Sequence, residues 1–243
     1  MTAEKRIPVM EIFGPTVQGE GMVIGRKTMF VRTAGCDYSC AWCDSSFTWD
    51  GSGKDDIKLM TACEVLEELK RVGGDTFAHV TLSGGNPALL RHLGELVRLL
   101  REQGIGTAVE TQGSRWQDWL LEIDEVTLSP KPPSSGMTTD WDMLDDIVER
   151  LQSNGNGFSL KIVVFDEDDF DYAVKVHRRY PDVPLYVQSG NSNLNERDNQ
   201  KLLSLSMAAY ERLVERTMAS TELRDVRVLP QLHTWLWGNK RGV

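Results

Sequence analysis

Short runs of β-branched and aliphatic residues alternate with amphipathic stretches along almost the whole chain. Thr28–Thr33, His79–Ser83, Thr107–Thr111, Glu125–Ser129, Ser159–Val164, Pro184–Gln188 and Val226–Leu229 are short and rich in Val, Ile, Thr and Leu, which predicts strands. Helical patterns occupy Thr61–Val72, Ala88–Gln103, Trp141–Gln152, Asp168–Arg179 and a long stretch within Glu196–Met218. Thr61 with Glu64 three residues on forms the signature of a capping box, which marks the first of these starts. Strands alternating with helices predict an α/β fold, a mostly parallel sheet with helices on its outside. The polar patches near Trp49–Asp56 and Pro130–Thr139 read as loops. No repeat, low-complexity linker or shift in composition marks a boundary, so residues 1–243 are expected to form a single domain.

The polar signatures fall at one kind of place. GC follows the Thr28–Thr33 strand, SGGNP the next, ETQG the third, SPKPP the fourth, QSGN a later one and PQLH the last. Parallel α/β barrels build their sites from the loops after the carboxyl ends of strands. If these strands close or half-close a barrel, all of these signatures line one mouth.

Composition narrows the picture. The chain is 40% hydrophobic and 26% charged, as a soluble globule would be. Its 27 Lys and Arg against 36 Asp and Glu give a net charge of -9, which argues against a non-specific nucleic-acid binder but leaves room for a locally positive pocket. No apolar run approaches the ~20 residues a membrane helix needs, and the start MTAEKRIPVMEIF has neither the apolar core nor the cleavage site of a signal peptide. A cytoplasmic protein with no membrane or nucleic-acid partner is expected.

Of the four cysteines, three crowd into Cys36-Asp-Tyr-Ser-Cys40-Ala-Trp-Cys43. Clustered thiols in a reducing compartment ligate metal or do redox work more often than they form staples. Three thiolates on one loop can hold three corners of a 4Fe–4S cube and leave the fourth iron without a protein ligand. A structural zinc site would want a fourth ligand, and no Cys or His follows at finger-like spacing. A Cys40–Cys43 redox pair would not need Cys36. Cys63 sits within a helical pattern and is expected to do no chemistry.

FVRTAGCDYSCAWCD resembles the cluster motif of the radical S-adenosylmethionine (SAM) superfamily, with Trp42 as the aromatic residue before the last cysteine. The resemblance implies a 4Fe–4S cluster on Cys36, Cys40 and Cys43 whose open iron binds SAM, and a 5′-deoxyadenosyl radical formed when one electron cleaves the sulfonium bond. EIFGPTVQGEG, FVRTAGC, CDSSFTW, SGGNPALL, ETQG, SPKPP and PQLHTWLWGNKRGV together look like the 7-carboxy-7-deazaguanine synthase family over essentially the whole chain. That resemblance implies a modified, partly open (β/α) barrel and a lyase reaction of queuosine biosynthesis. In it 6-carboxy-5,6,7,8-tetrahydropterin loses ammonia and becomes 7-carboxy-7-deazaguanine. It also implies Mg2+, a homodimer and a flavodoxin-type electron donor.

The site residues follow partly from chemistry and partly from this resemblance. By resemblance, Trp42, Cys43 and Asp44 adjoin the cofactor, as do Gly85, the segment Ser129-Pro130-Lys131 and the segment Gln188-Ser189-Gly190-Asn191; Lys131 could neutralise the cofactor carboxylate. Many relatives carry Glu where Asn86 stands. For substrate, the turn Val17-Gln18-Gly19-Glu20 offers a carboxylate that can accept from the amino and ring N–H groups of a pterin. Arg32 lies in an apolar strand, where a guanidinium wants an anion; the alternatives are a structural Asp or Glu and the substrate carboxylate, and the nearby cysteines favour the latter. Ser83 ends its strand beside the glycines, within reach of substrate, and His233 joins by resemblance. Ser45 stands where relatives often carry a Mg2+-ligating Thr; its alternative role is to cap the turn. No side chain is assigned as a catalytic acid, base or nucleophile. Trp116, Trp119, Trp235 and Trp237 read as core or dimer-interface residues. Two rival functions remain: an activating enzyme that makes a glycyl radical on a partner protein, and a zinc-binding interaction module.

Overall fold

A computed structural model of the protein describes residues 5–243. Nine strands are found among the described residues: β1 (Ile7–Val17), β2 (Lys27–Thr33), β3 (Lys58–Met60), β4 (His79–Gly84), β5 (Gly106–Thr111), β6 (Glu125–Leu128), β7 (Gly157–Val164), β8 (Leu185–Ser189) and β9 (Val226–Leu229). They form one sheet in the order β3-β1-β2-β4-β5-β6-β7-β8-β9. From β2 to β9 every pairing is parallel, and β1 runs antiparallel to both of its neighbours. Among the described residues no pairing joins β3 to β9, so the barrel is open, as expected.

The helices are α1 (Ala62–Gly73), α2 (Leu93–Glu102), α3 (Trp141–Asn154), α4 (Glu167–Arg179), α5 (Asn199–Met218) and α6 (Leu232–Trp237). The Thr61–Glu64 capping box forms as the sequence predicts, and Asp140, Asp166 and Asp198 cap α3, α4 and α5 through their carboxylates. Period-two alternation gives the sheet two unlike faces. Met29, Val31, Val80, Leu82, Leu128, Leu160, Ile162 and Val187 point outward into an apolar core shared with Val65, Leu69, Leu96, Leu100 and Leu144 of the helices. Thr81, Thr127, Ser159, Lys161 and Gln188 are buried on the other face.

Three elements escape the sequence reading. In β1 a Gly14-Pro15 pair interrupts the apolar run, β3 is only three residues long, and α6 is a six-residue helix. The predicted Ala88–Gln103 helix is shorter at its start: Pro87–Leu89 form a separate 3₁₀ turn capped by Asn86, and α2 begins at Leu93. No helix among the described residues is long and apolar enough to cross a membrane.

Candidate active site

The cysteine loop leaves the carboxyl end of β2 and lies against the loop after β4. Gly35 has φ +96°, a left-handed value that glycine accommodates without strain. A side chain at Gly85 would place Cβ 2.2 Å from the Gly35 carbonyl oxygen and 2.8 Å from Cys36 Cβ, so the second glycine of SGGNP is required by the cysteine loop itself. Asn86, wholly buried, ties the two loops together. Its amide donates to Asp37 Oδ1 (2.9 Å) and Ser114 Oγ (3.1 Å), and its carbonyl accepts from Ala88 N (3.1 Å) and Thr111 Oγ1 (2.7 Å). That amide is fully engaged within the protein, which gives the position a structural role.

Cys36, Cys40 and Cys43 all face one pocket. Burial pushes the Cys40 thiol up to about 11; the nearby Lys131 charge pulls against this, and Cys43 and Cys36 add to it. Metal ligation requires thiolates, so cluster assembly displaces these protons. Donors are already in place for the ligated sulfurs. Tyr38 N reaches Cys36 Sγ at 3.4 Å, Gln112 Nε2 reaches it at 3.7 Å, and Trp49 Nε1 reaches Cys43 Sγ at 3.4 Å. A three-thiol loop with N–H···S donors, open to a pocket, fits a 4Fe–4S cluster with one free iron. Cys63 is exposed on α1, away from the pocket.

One side of the same pocket is acidic. Glu20, from the loop after β1, pairs with Lys161 of β7, whose Nζ also lies 2.7 Å from Glu110 Oε1 of β5. Gln231 donates to Glu20 Oε1 at 3.0 Å, and His233 Nδ1 lies 3.8 Å from the same oxygen. Burial acts to raise the Glu20 pKa, but the charge of Lys161, followed by that of His233, holds the carboxyl well below the usual range. Gly19 must be glycine because a Cβ there would meet His233 Nδ1 at 2.5 Å, so the QGEG turn and the PQLH segment pack directly on each other. Val17 and Gln18 also line the pocket, and Gln18 Oε1 accepts from Gly19 N (2.7 Å). Glu110 and Gln231 belong to the ETQG and PQLH signatures without being assigned a role there, and Lys161 falls outside every motif. A lysine inside SLKIVV carries the same signal as Arg32: a charge within an apolar strand.

Arg32 lines the pocket but has an anion of its own. Its Nε donates to Glu11 Oε1 (2.6 Å) and its Nη1 to Ser45 Oγ (3.3 Å), and its guanidinium lies over Phe13 and Phe47. The structural carboxylate that sequence reasoning set aside is therefore present, and burial alone does not demand a substrate anion. Arg241 donates to the other Glu11 oxygen (3.0 Å) and covers Phe47 at 3.9 Å. Arg241 also donates to Asp56 Oδ2 (3.1 Å), so Glu11 and Asp56 together balance the two guanidiniums. Ser45 makes no capping bond to its turn; its hydroxyl donates to Asp44 Oδ1 (2.7 Å). Glu20, Asp44 and His233 bring one donor atom each within 4.8 Å of one another beside it.

The remaining candidates gather around the same mouth. Trp42 donates to Ser134 Oγ (2.9 Å) and packs on Phe165 at 4.9 Å, and a Cβ at Gly190 would strike that ring at 2.2 Å. Lys131 lines the pocket but folds back on Ser129, reaching its carbonyl oxygen at 3.0 Å and its hydroxyl at 3.1 Å. Asn191 and Ser83 also line the pocket, and among the described residues Ser83 Oγ and both amide atoms of Gln188 have no hydrogen-bond partner. Of these, Ser83 Oγ lies at the pocket wall, where a bound ligand would satisfy it. Ser129, Pro130, Gln188, Ser189 and Gly190 do not themselves line the pocket; they are buried or half-buried just behind it. Trp119 is in the core, Trp116 packs against it, and Trp235 meets Tyr210 edge-on at 5.6 Å.

Comparison with known proteins bears on this geometry. The Radical SAM superfamily model matches residues 30–173. The 7-carboxy-7-deazaguanine synthase of Bacillus cereus is 58% identical over 98% of this chain and 99% of its own length. The enzyme of the same name from Bacillus subtilis is also 58% identical, over the same shares of the two chains. The crystal structure of QueE from Escherichia coli superposes with a TM-score of 0.67 at 24% identity, covering 92% of each chain, which shows a common fold. The chain belongs to the radical SAM superfamily and, within it, to the 7-carboxy-7-deazaguanine synthase family.

Proposed function

We propose that this protein converts 6-carboxy-5,6,7,8-tetrahydropterin to 7-carboxy-7-deazaguanine with release of ammonia, a carbon–nitrogen lyase step of queuosine biosynthesis. The observation that carries the proposal is one pocket lined by three kinds of group: the cysteine triad, the Glu20–Lys161–Glu110 acceptors, and the guanidinium of Arg32. A pterin carboxylate is both an anion and a donor-rich fused ring, so both charge groups have work to do. A glycyl-radical activase would need a mouth for a protein segment, and nothing in this charge arrangement calls for one.

The cluster and SAM, when bound, supply one-electron cleavage and the radical that removes a substrate hydrogen. The chain's task is to hold that hydrogen beside the radical and to exclude water. Cys36, Cys40 and Cys43 are the cluster ligands. Trp42, Asp44, Gly85, Ser129, Pro130, Lys131 and the Gln188–Asn191 segment shape the SAM site, some by direct contact and others, such as Gly190, from behind it. Val17, Gln18, Gly19, Glu20, Arg32, Ser83 and His233 face the substrate. Ser45 and Asp44 offer hard oxygens, the donors Mg2+ prefers, beside the substrate. The protein works as a single cytoplasmic radical SAM domain, assembles as a homodimer and takes electrons from a flavodoxin-type donor.

The test is direct. Anaerobically reconstituted protein is given a one-electron reductant, SAM, Mg2+ and 6-carboxytetrahydropterin, and the products are separated by mass. Formation of 7-carboxy-7-deazaguanine with one ammonia is expected. Cleavage of SAM with the pterin left intact would overturn the reading.

A further inference from the structure

We propose that Lys161 is a positioning residue that holds Glu20 and Glu110 together as a paired acceptor, and that this pair recognises a donor-rich, guanidine-like edge of the substrate. The inference rests on the function proposed above and adds the residue that sets its recognition.

The argument begins with burial. Lys161 is 1% exposed, on the polar face of β7 between the core residues Leu160 and Ile162. An ammonium there costs several kcal/mol of lost hydration unless anions replace it. Two do: Nζ donates to Glu20 Oε2 and lies 2.7 and 2.8 Å from the two oxygens of Glu110. Burial works against the charged amine, and Glu110 and Glu20 more than offset it, holding Lys161 protonated above the usual lysine range. The titratable groups around it are Glu110 from β5 and Glu20 from the loop after β1, and Glu20 is faced in turn by His233 of α6 and by Asp44 of the cysteine loop.

Exposure decides which of the three a ligand meets. The lysine side chain is 1% exposed, against 17% for Glu20 and 29% for Glu110. The amine lies behind, and the carboxylates face the pocket. Two negative charges and one positive leave a net charge of -1 on this wall. Such a wall repels a carboxylate or phosphate and accepts an array of N–H donors. An aminopyrimidinone edge presents amino and ring N–H groups side by side, and that is the chemical class the wall fits. A lysine serving only as a strut would leave recognition unchanged when replaced.

The test is equilibrium binding of 6-carboxy-5,6,7,8-tetrahydropterin to the anaerobic, cluster-loaded protein, measured from pH 6 to pH 8.5 for the parent and for Lys161→Met. The parent Glu20 carboxyl is held well below its usual range, so it stays ionised across this window. Without Lys161, burial raises it toward neutrality, and on acidification it takes up a proton and stops accepting. Taking the ratio of variant to parent dissociation constants at each pH cancels the titration of the substrate itself. That ratio should grow at least tenfold from pH 8.5 to pH 6, while iron content matches the parent. A ratio that is flat across the window overturns the proposal and leaves Lys161 a strut, with the functional reading intact. Failure of the parent to bind the pterin at any pH sinks the functional reading and this inference with it. Should Lys161→Met not fold, Lys161→Met/Glu110→Gln removes one charge of each sign and reads Glu20 alone. The same growth of the ratio is expected, and a flat ratio again overturns the proposal.

Discussion

The two faces of the one sheet obey opposite rules. On the outer face Leu82, Leu160, Ile162 and Val187 meet the helices in a continuous apolar core. On the inner face, one residue along each strand, lie Ser83, Ser159, Lys161 and Gln188. Among the described residues the side chains of Ser83, Ser159 and Gln188 have buried atoms without a hydrogen-bond partner. The outer face stabilises the fold, and the inner face gives up stability to keep polar groups available. The difference teaches where to look for function: at buried polarity that the protein does not itself satisfy.

The largest expected effect tests the site directly. Cys36→Ala, Cys40→Ala and Cys43→Ala should each lose the intact cluster and all SAM cleavage, read as iron content and visible absorbance. Cys63→Ala, exposed on an outer helix, should keep both. An iron-replete, active Cys40→Ala would remove the cluster from this loop.

The second expectation compares neighbours on opposite faces. Leu160→Ala opens a cavity in the outer core and should cost about 2–5 kcal/mol of stability. Ser159→Ala deletes a buried hydroxyl with no partner and should change stability by less than about 0.5 kcal/mol or raise it slightly. Denaturant unfolding of the two variants reads the contrast. Equal losses would erase the distinction between the faces.

Much of this contrast was legible in the chain. The seven predicted strands and five predicted helices are all present, because period-two and period-3.6 patterns report burial on one face. The cysteine loop, the glycine turn and the QGEG and PQLH segments could be singled out because each is a local pattern. What stayed hidden was pairing across the sequence. Lys161 meets a carboxylate 141 residues away and Gln231 reaches Glu20 across 211, distances over which no periodicity carries information. Arg32 shows both sides of the lesson. The need for an anion was legible in its apolar strand, but the identity of that anion, Glu11, emerges only when β1 pairs with β2. β1 itself was hidden by its Gly-Pro interruption.

Arg32 gives a smaller, graded test. Its Nε is taken by Glu11, while the guanidinium still lines the pocket. Arg32→Met should leave cluster content near the parent value and weaken pterin binding. A charge-assisted hydrogen bond contributes about 1.5–3 kcal/mol, so affinity should fall roughly ten- to a hundredfold. Unchanged binding by titration would return Arg32 to a purely structural partnership with Glu11, placing it with the outer face in kind if not in position.

The smallest effect concerns Ser45, at the edge of the inner face. Its hydroxyl donates to Asp44 and accepts from Arg32, and it makes no capping bond to the turn that follows. A residue kept for local structure would be expected to cap, since that is how serine commonly stabilises a turn. Instead the hydroxyl joins a carboxylate beside the pocket, a pair of hard oxygens of the kind Mg2+ takes while keeping waters and substrate oxygens for the rest of its octahedron. Ser45→Ala should therefore retain the cluster and lose most of the stimulation of turnover by Mg2+. Ser45→Thr, which keeps the oxygen and adds only a methyl group, should keep the stimulation. The comparison is made as turnover against added Mg2+ for the parent and both variants. If the alanine variant responds as the parent does, the hydroxyl serves to orient Asp44 and Arg32, and any Mg2+ ligands lie elsewhere.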